Sequence, residues 1–195
     1  MTVLFKTSGD QDTRILLQVL SGETSPDSGV LLIGDLDLKK TERERLSKVR
    51  HTIGIITAQS NLISNLKVWE NITLPLLYHH GIIPPEIADQ AMQLLEKFGL
   101  KNSLWSLPAH LSHPQRIIVA FIRAIIVAPR LLIYVDCFDD IPGLQRETFL
   151  QLITQIQQQD NAPAAVFITA GNLQLPHMQP NILCDLRQNH AQVMR

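Results

Sequence analysis

Residues 7–17 read TSGDQDTRILL, and they join an apolar strand-like run, Val3, Leu4 and Phe5, to an apolar helix expected from Thr13 to about Leu20. Many α/β proteins hold a phosphate at such a junction, on backbone N–H groups that the first helical turn leaves unpaired. The turn nevertheless carries Asp10 and Asp12 and no lysine. Its side chains therefore oppose the ligand that its backbone suits. A second group, Asp136, Asp139 and Asp140 with Cys137, follows an apolar run. Carboxylates suit Mg²⁺, although acids at the end of a strand are more often solvated loop residues. His110 and His113 have i,i+3 spacing, but Pro114 follows and no cysteine or acid lies nearby, which argues against a metal site. Ser112 and His113 are adjacent, and adjacent residues rarely face each other as nucleophile and base. His79 and His80 read as an exposed turn before Gly81, Pro84 and Pro85.

These groups need a scaffold, and the hydrophobic pattern supplies one. Gly29 to Leu36 (GVLLIGDL) is strand-like, residues 39–50 (KKTERERLSKVR) form a charged amphipathic helix, and HTIGIITA, 51–58, is a strand without alternation, as in a strand covered on both faces. After Asn61 the pattern changes. Ile87, Ala91, Leu94, Leu95 and Phe98 recur at helical spacing behind two prolines, and residues 61–113 read as all-helical. Alternation then resumes with a buried helix near 115–128, the strand LLIYVD, the helix GLQRETFLQLITQIQQQ and the strand AAVFITAG. ILCDL and AQVM close the chain around Gln188 to His190. The expected fold class is α/β: a mostly parallel sheet flanked by helices, built from 1–60 and 114–195, with an inserted all-helical subdomain at 61–113.

The composition is that of one globular domain, with 45% hydrophobic and 18% charged residues in 195. A formal net charge of −1 leaves no electrostatic footprint for nucleic acid or anionic lipid. Residues 117–135 are nearly all apolar, but Arg123 interrupts them at a cost of roughly 2.5–3.5 kcal/mol in a bilayer, and Pro129 with Arg130 splits them again. A buried helix and strand are expected there, not a membrane span. Two cysteines make no disulfide framework, and no secretory signal is apparent, so a reducing cytoplasm is the default.

The order and spacing of these segments resemble the nucleotide-binding domain of ABC transporters, from residue 2 to about 190. NLISNLKVWENITLPL resembles the segment after that family's Q-loop, and VLSGETSPDSGVLLIGDLDL the segment after its phosphate loop. LSHPQRIIVAFIRAIIVAPRLLIYVD resembles the signature helix and Walker B strand, with Leu111, Ser112, Arg123, Ala124, Pro129 and Leu131 in register. The resemblance implies a P-loop NTPase-like fold with a RecA-like core, and ATP hydrolysis coupled to transport.

The family's chemistry does not carry over with the frame. In its phosphate loop, glycines let the backbone wrap the phosphates, a lysine reaches the terminal ones and a hydroxyl holds Mg²⁺. Here the register places Thr7, Asp10 and Asp12 at the glycines, beside Gly9, with Thr13 for the lysine and Arg14 for the hydroxyl. A slip of one residue puts Arg14 in the lysine place. Each carboxylate adds roughly 1–4 kcal/mol of repulsion at 4 Å from a phosphate. Ala58 stands at the Q-loop glutamine, with Gln59 beside it; Val135 stands at the metal-orienting aspartate and Asp136 at the catalytic glutamate. His113 and Pro114 replace the signature glycines, Pro142 the D-loop aspartate and Ala170 the H-loop histidine. The chain also starts one strand before the phosphate loop, without the family's upstream hairpin and adenine-stacking aromatic residue. The cavity is thus expected to have negative side chains and no cation, metal holder or water-activating group.

The implied function is a non-hydrolysing ATP-binding-type subunit. It needs no cofactor and docks on a membrane permease from the cytoplasmic side, pairs with an intact ATPase chain, or both; in such a pair Ser112 approaches the partner's nucleotide, a contact that His113 and Pro114 make poor. A groove that in the family receives the permease is lined by Leu62, Leu66, Val68, Trp69, Leu74 and Leu77, or these are subdomain core. Two alternatives stand beside this reading. In one, Arg14, Gln59 and Asp136 take over Mg-ATP binding and hydrolysis by local shifts; in the other, a free-standing interaction protein has inherited the fold.

Overall fold

The computed structural model describes residues 1–33, 36–37, 40–171, 173, 175, 179–188 and 190–193, with the backbone alone at 43, 190 and 191. Its main sheet has six strands in the order β4-β5-β6-β1-β7-β8. In chain order these are β1 (Thr2–Lys6), β4 (Ile53–Thr57), β5 (Leu131–Val135), β6 (Ala164–Thr169), β7 (Ile182–Asp185) and β8 (His190–Val193). β4, β5, β6, β1 and β7 run parallel, and β8 returns antiparallel to β7. Each parallel pair needs a crossover, which the helices α1 (Asp10–Leu20), α2 (Arg43–Arg50), α5 (His113–Ile125) and α6 (Gly143–Gln157) help to supply. Between β4 and α5 lie α3 (Val68–His80), α4 (Pro85–Lys97) and two short 3₁₀ turns, Lys101–Ser103 and Pro108–His110.

The two faces of the sheet divide as a period of two requires. Leu132, Tyr134, Ala165 and Phe167 point into the larger core, with residues of α3, α4, α5 and α6. Ile133, Val135, Val166 and Ile168 point the other way, where Leu16, Leu17 and Leu20 of α1 cover them. The apolar run that spans α5 and β5 is therefore core: Ile117 to Ile122 and Leu132 to Tyr134 are all at most 1% exposed. No described helix is long and apolar enough to cross a membrane.

Several boundaries differ from the sequence expectation. α1 opens at Asp10, three residues before Thr13, because its carboxylates are compatible with a helical first turn, where negative charge meets the positive end of the helix dipole. The single strand expected over 29–36 is instead two short antiparallel segments, β2 (Leu32–Ile33) and β3 (Leu36–Asp37), outside the main sheet. α2 begins at Arg43, not at 39. His79 and His80 belong to the last turn of α3 and not to a free turn; Gly81 ends that helix in the left-handed conformation, which glycine adopts without penalty. Gly34, Asp35, Leu38 and Lys39 of the expected strand and helix, and Asn189 and Met194 of the closing pair, lie outside the described residues.

Candidate functional site

The carboxyl ends of β1, β4 and β5 face one rim of the sheet, and the site builds up from there. Only Thr7, Ser8 and Gly9 separate β1 from α1. None of the three adopts the left-handed conformation; Gly9 is fully extended (φ 167°) and a Cβ there would meet nothing within 4 Å. The turn is closed by two hydroxyls, Thr7 Oγ1 and Thr13 Oγ1, 2.6 Å apart and buried. The Thr13 N–H donates to Gly9 O at 3.1 Å as the first helical bond. The N–H groups of the preceding turn have no intrahelical acceptor, as at any helix start.

A cleft of ≈ 340 Å³ opens beside this turn, lined by Asp10, Thr13, Arg14 and Leu17 of α1, by Thr57, Ala58 and Gln59 after β4, and by Val135 and Asp136 after β5. The spacing i, i+3, i+4, i+7 puts the four α1 residues on one helical face. Asp12 is absent from that face. It lines a separate shallow groove with Ile15, Leu16, Val19 and Leu186. The expectation of a cavity without a cation is corrected by Arg14, whose exposed side chain borders the cleft beside Asp10. One acid and one cation therefore face this space from α1, where two acids were expected.

Asp136 sits at the end of β5 with φ 44°, a left-handed conformation that aspartate tolerates better than most residues. Its N–H donates to Ile168 O at 3.1 Å, and its Oδ1 accepts from the Ala170 N–H at 3.0 Å. The carboxylate thus ties the end of β5 to the end of β6, leaving one oxygen for the cleft. Cys137, next along, is fully buried, and burial pushes its thiol pKa well up, with Asp136 and Asp139 adding to the effect. Such a thiol is a poor nucleophile and a poor metal ligand. Among the described residues no group of three or more His, Cys, Asp or Glu side chains is placed to hold a metal ion.

Ser112 lies outside the cleft. It caps α5 reciprocally with Gln115: the Gln115 N–H donates to Ser112 Oγ at 3.4 Å and the Ser112 N–H to Gln115 Oε1 at 2.9 Å. His113 turns instead to its own chain, with Nε2 2.6 Å from Ala58 O and Nδ1 3.5 Å from Asp140 Oδ2. Sequence reasoning missed this contact, for 55 positions separate the partners. It also missed Leu17 and Thr57, although helical spacing from Asp10 and Thr13 selects the first.

Of the six residues considered for a groove, Val68 is wholly buried and belongs to the core, whereas Leu62 and Trp69 are half-buried against it and Leu77 is exposed. Asn71 organises the segment between β4 and α3. Its side chain, in a fully buried residue, donates to the carbonyls of Ile63, Leu66 and Lys67 and accepts from the Ile63 N–H.

The family model of the ABC transporter matches residues 15–137. The methionine import ATP-binding protein MetN 1 of Acinetobacter baylyi is 31% identical over 144 residues, which are 74% of this chain and 40% of that protein. MetN of Vibrio vulnificus is 29% identical over 143 residues, 73% of this chain and 41% of its own. The lipoprotein-releasing system ATP-binding protein LolD of Idiomarina loihiensis is 29% identical over 161 residues, 82% of this chain and 69% of its own. The chain spans about two-fifths of the methionine import proteins. In fold it is similar to the dimeric ATP-binding cassette MJ0796 bound to ADP and Pi, with a TM-score of 0.84 and 21% identity over 100% of this chain and 85% of that one.

Proposed function

Because this chain belongs to the ABC transporter ATP-binding family, we propose that it is a non-hydrolysing subunit of that kind, peripheral at the inner face of a membrane, docked on a permease and paired with an intact ATPase chain. The observation that carries the reading is the start of α1 at Asp10. Two of the three positions that the family gives to wrapping glycines, Asp10 and Asp12, are here inside a helical turn. That backbone is not free to curl around a triphosphate.

The surrounding groups support the same reading. The Thr13 hydroxyl is engaged by Thr7, one Asp136 oxygen is engaged by Ala170, and Val135 offers no ligand to a cation. In this reading the residues at hand do not fit Mg-ATP. Residues 1–60 and 114–195 serve as the RecA-like core and 61–113 as the helical subdomain, whose half-buried Leu62 and Trp69 face a permease segment. The relatives carry names of two different cargoes, so none is assigned.

One observation favours a second reading: Arg14, Gln59 and Asp136 all border the same cleft, where they would serve a divergent but genuine ATPase. Titration calorimetry with Mg-ATP separates the two. The first reading expects no binding heat up to millimolar nucleotide, together with co-purification of a permease or an intact ATPase subunit. Micromolar binding, or hydrolysis abolished by Asp136→Asn, would establish the second.

A further inference from the structure

We infer that His113 is an internal latch, holding the loop after β4 and the loop after β5 against the start of α5 in one arrangement that does not depend on nucleotide. The inference rests on the reading above, in which no nucleotide organises these loops.

The latch is visible in four contacts. A carbonyl oxygen only accepts, so the 2.6 Å contact with Ala58 O places a proton on His113 Nε2. The opposite nitrogen, Nδ1, lies 3.5 Å from Asp140 Oδ2 and donates toward that carboxylate when the ring carries both protons, so the imidazolium spans from residue 58 to residue 140. Ten residues further along the same helix, Arg123 donates from Nη1 to Asn61 O at 3.1 Å and from Nη2 to Ser60 O at 3.2 Å. Three carbonyls of one short loop are therefore gripped by two side chains of α5.

The loop has reason to need that grip. Ser60 and Asn61 are consecutive non-glycine residues with φ of 60° and 48°. Such conformations persist where surrounding contacts over-determine them. Arg123 is itself half-buried, and burial lowers its pKa; its charge is met there by carbonyl dipoles. The Arg123 contacts fix the far end of the loop and His113 fixes the near end. His113 alone also reaches the β5 loop, and no glycine at that position could do either.

Amide hydrogen exchange on the full chain tests the latch. The reporters are the amides of Ser60 and Asn61, bonded to Thr57 O and Gln59 O, and of Ile141, bonded to Phe138 O. In His113→Ala, exchange at Ser60 and Asn61 is expected to quicken at least tenfold. His113→Gln, which keeps a donor for Ala58, should restore most of the protection at Ser60 and Asn61 but not at Ile141. Asp140→Asn, at an exposed side chain that folding tolerates, should quicken Ile141 a few-fold and carries the test if His113→Ala does not fold. The wild-type pattern is expected to be the same with and without 5 mM Mg-ATP, roughly five thousand times a 1 μM Kd. Exchange in His113→Ala within twofold of wild type would overturn the latch itself. Protection that shifts with Mg-ATP in the wild type, while His113→Ala still exchanges fast, would instead overturn nucleotide independence and with it the reading of function.

Discussion

Tyr134 is the residue at which the core departs from its own rules. Its ring stacks on Phe167, centroids 4.8 Å apart and 10° from parallel, and it is 1% exposed. Its hydroxyl has no hydrogen-bond partner among the described residues. Burial, and secondarily the Cys137 thiol, holds the phenol's pKa well above the usual tyrosine range, so the group stays protonated. A buried O–H without an acceptor costs about 1–3 kcal/mol. Tyr134→Phe keeps the ring and removes the orphan, so the variant is expected to be more stable than wild type by about that amount, read from the urea midpoint at unchanged slope. A lowered midpoint would mean that the hydroxyl has an acceptor after all. At this scale the site was half legible. Asp10, Thr13 and Arg14 converge by helical spacing alone, and the same geometry separates Asp12 from Asp10 by about 200° around the axis. The sequence already contained that divergence, but it shows only once the helix is known to start at Asp10. The Thr7 to Thr13 hydroxyl pair depends on the length of the turn, and the His113 to Ala58 contact on the packing of α5; no local pattern encodes either.

Among the elements, the contact that sets the site is α5 against β4. It is close because Gly54 has no side chain: a Cβ there would lie 2.7 Å from Leu132 Cδ2, 3.1 Å from Ala124 Cβ and 3.2 Å from Ala124 O. Leucine can swing away, but the Ala124 backbone can move only with α5. Gly54→Ala is therefore expected to destabilise the fold by about 1–3 kcal/mol, the usual cost of overpacking, and to loosen the loop that follows β4. Thermal unfolding checks the first effect and exchange at Ser60 the second. A neutral Gly54→Ala would show that the leucine alone absorbs the added methyl. The elements were the most legible level. Long apolar runs such as AAVFITAG and the amphipathic EIADQAMQLLEKF specify strand and helix by period alone. The region around residues 29–37 was not legible, because a short apolar run reads equally as one strand or as two brief arms. The α1 boundary was misplaced because Asp10 and Asp12 read as loop residues, while the helix dipole favours them in a first turn.

At the scale of the whole molecule, the sheet-edge region and the helical segment meet at a pair of histidines whose charge is a lever on stability. His51 follows the end of α2 and His79 lies in the last turn of α3; their ring centroids are 3.7 Å apart and tilted by 38°, with His80 6.5 Å beyond. Partial burial lowers the pKa of His79, and the positive charge of His51 and then of His80 lowers it further. The unfolded chain carries this histidine near its ordinary value of about 6.5. Between that value and the lowered folded one, the unfolded state binds more protons, so stability rises with pH and is lost as pH falls through the window. The site is open to solvent, which keeps the effect modest. The prediction is a difference between chains: from pH 7.5 to pH 5.5 the wild-type urea midpoint should fall by more than that of His79→Ala, and His51→Ala should recover part of the gap by removing one repelling neighbour. Equal falls in wild type and His79→Ala would mean that the paired rings separate freely on protonation. The contact between α2 and α3 would then add nothing to holding the helical segment on the sheet.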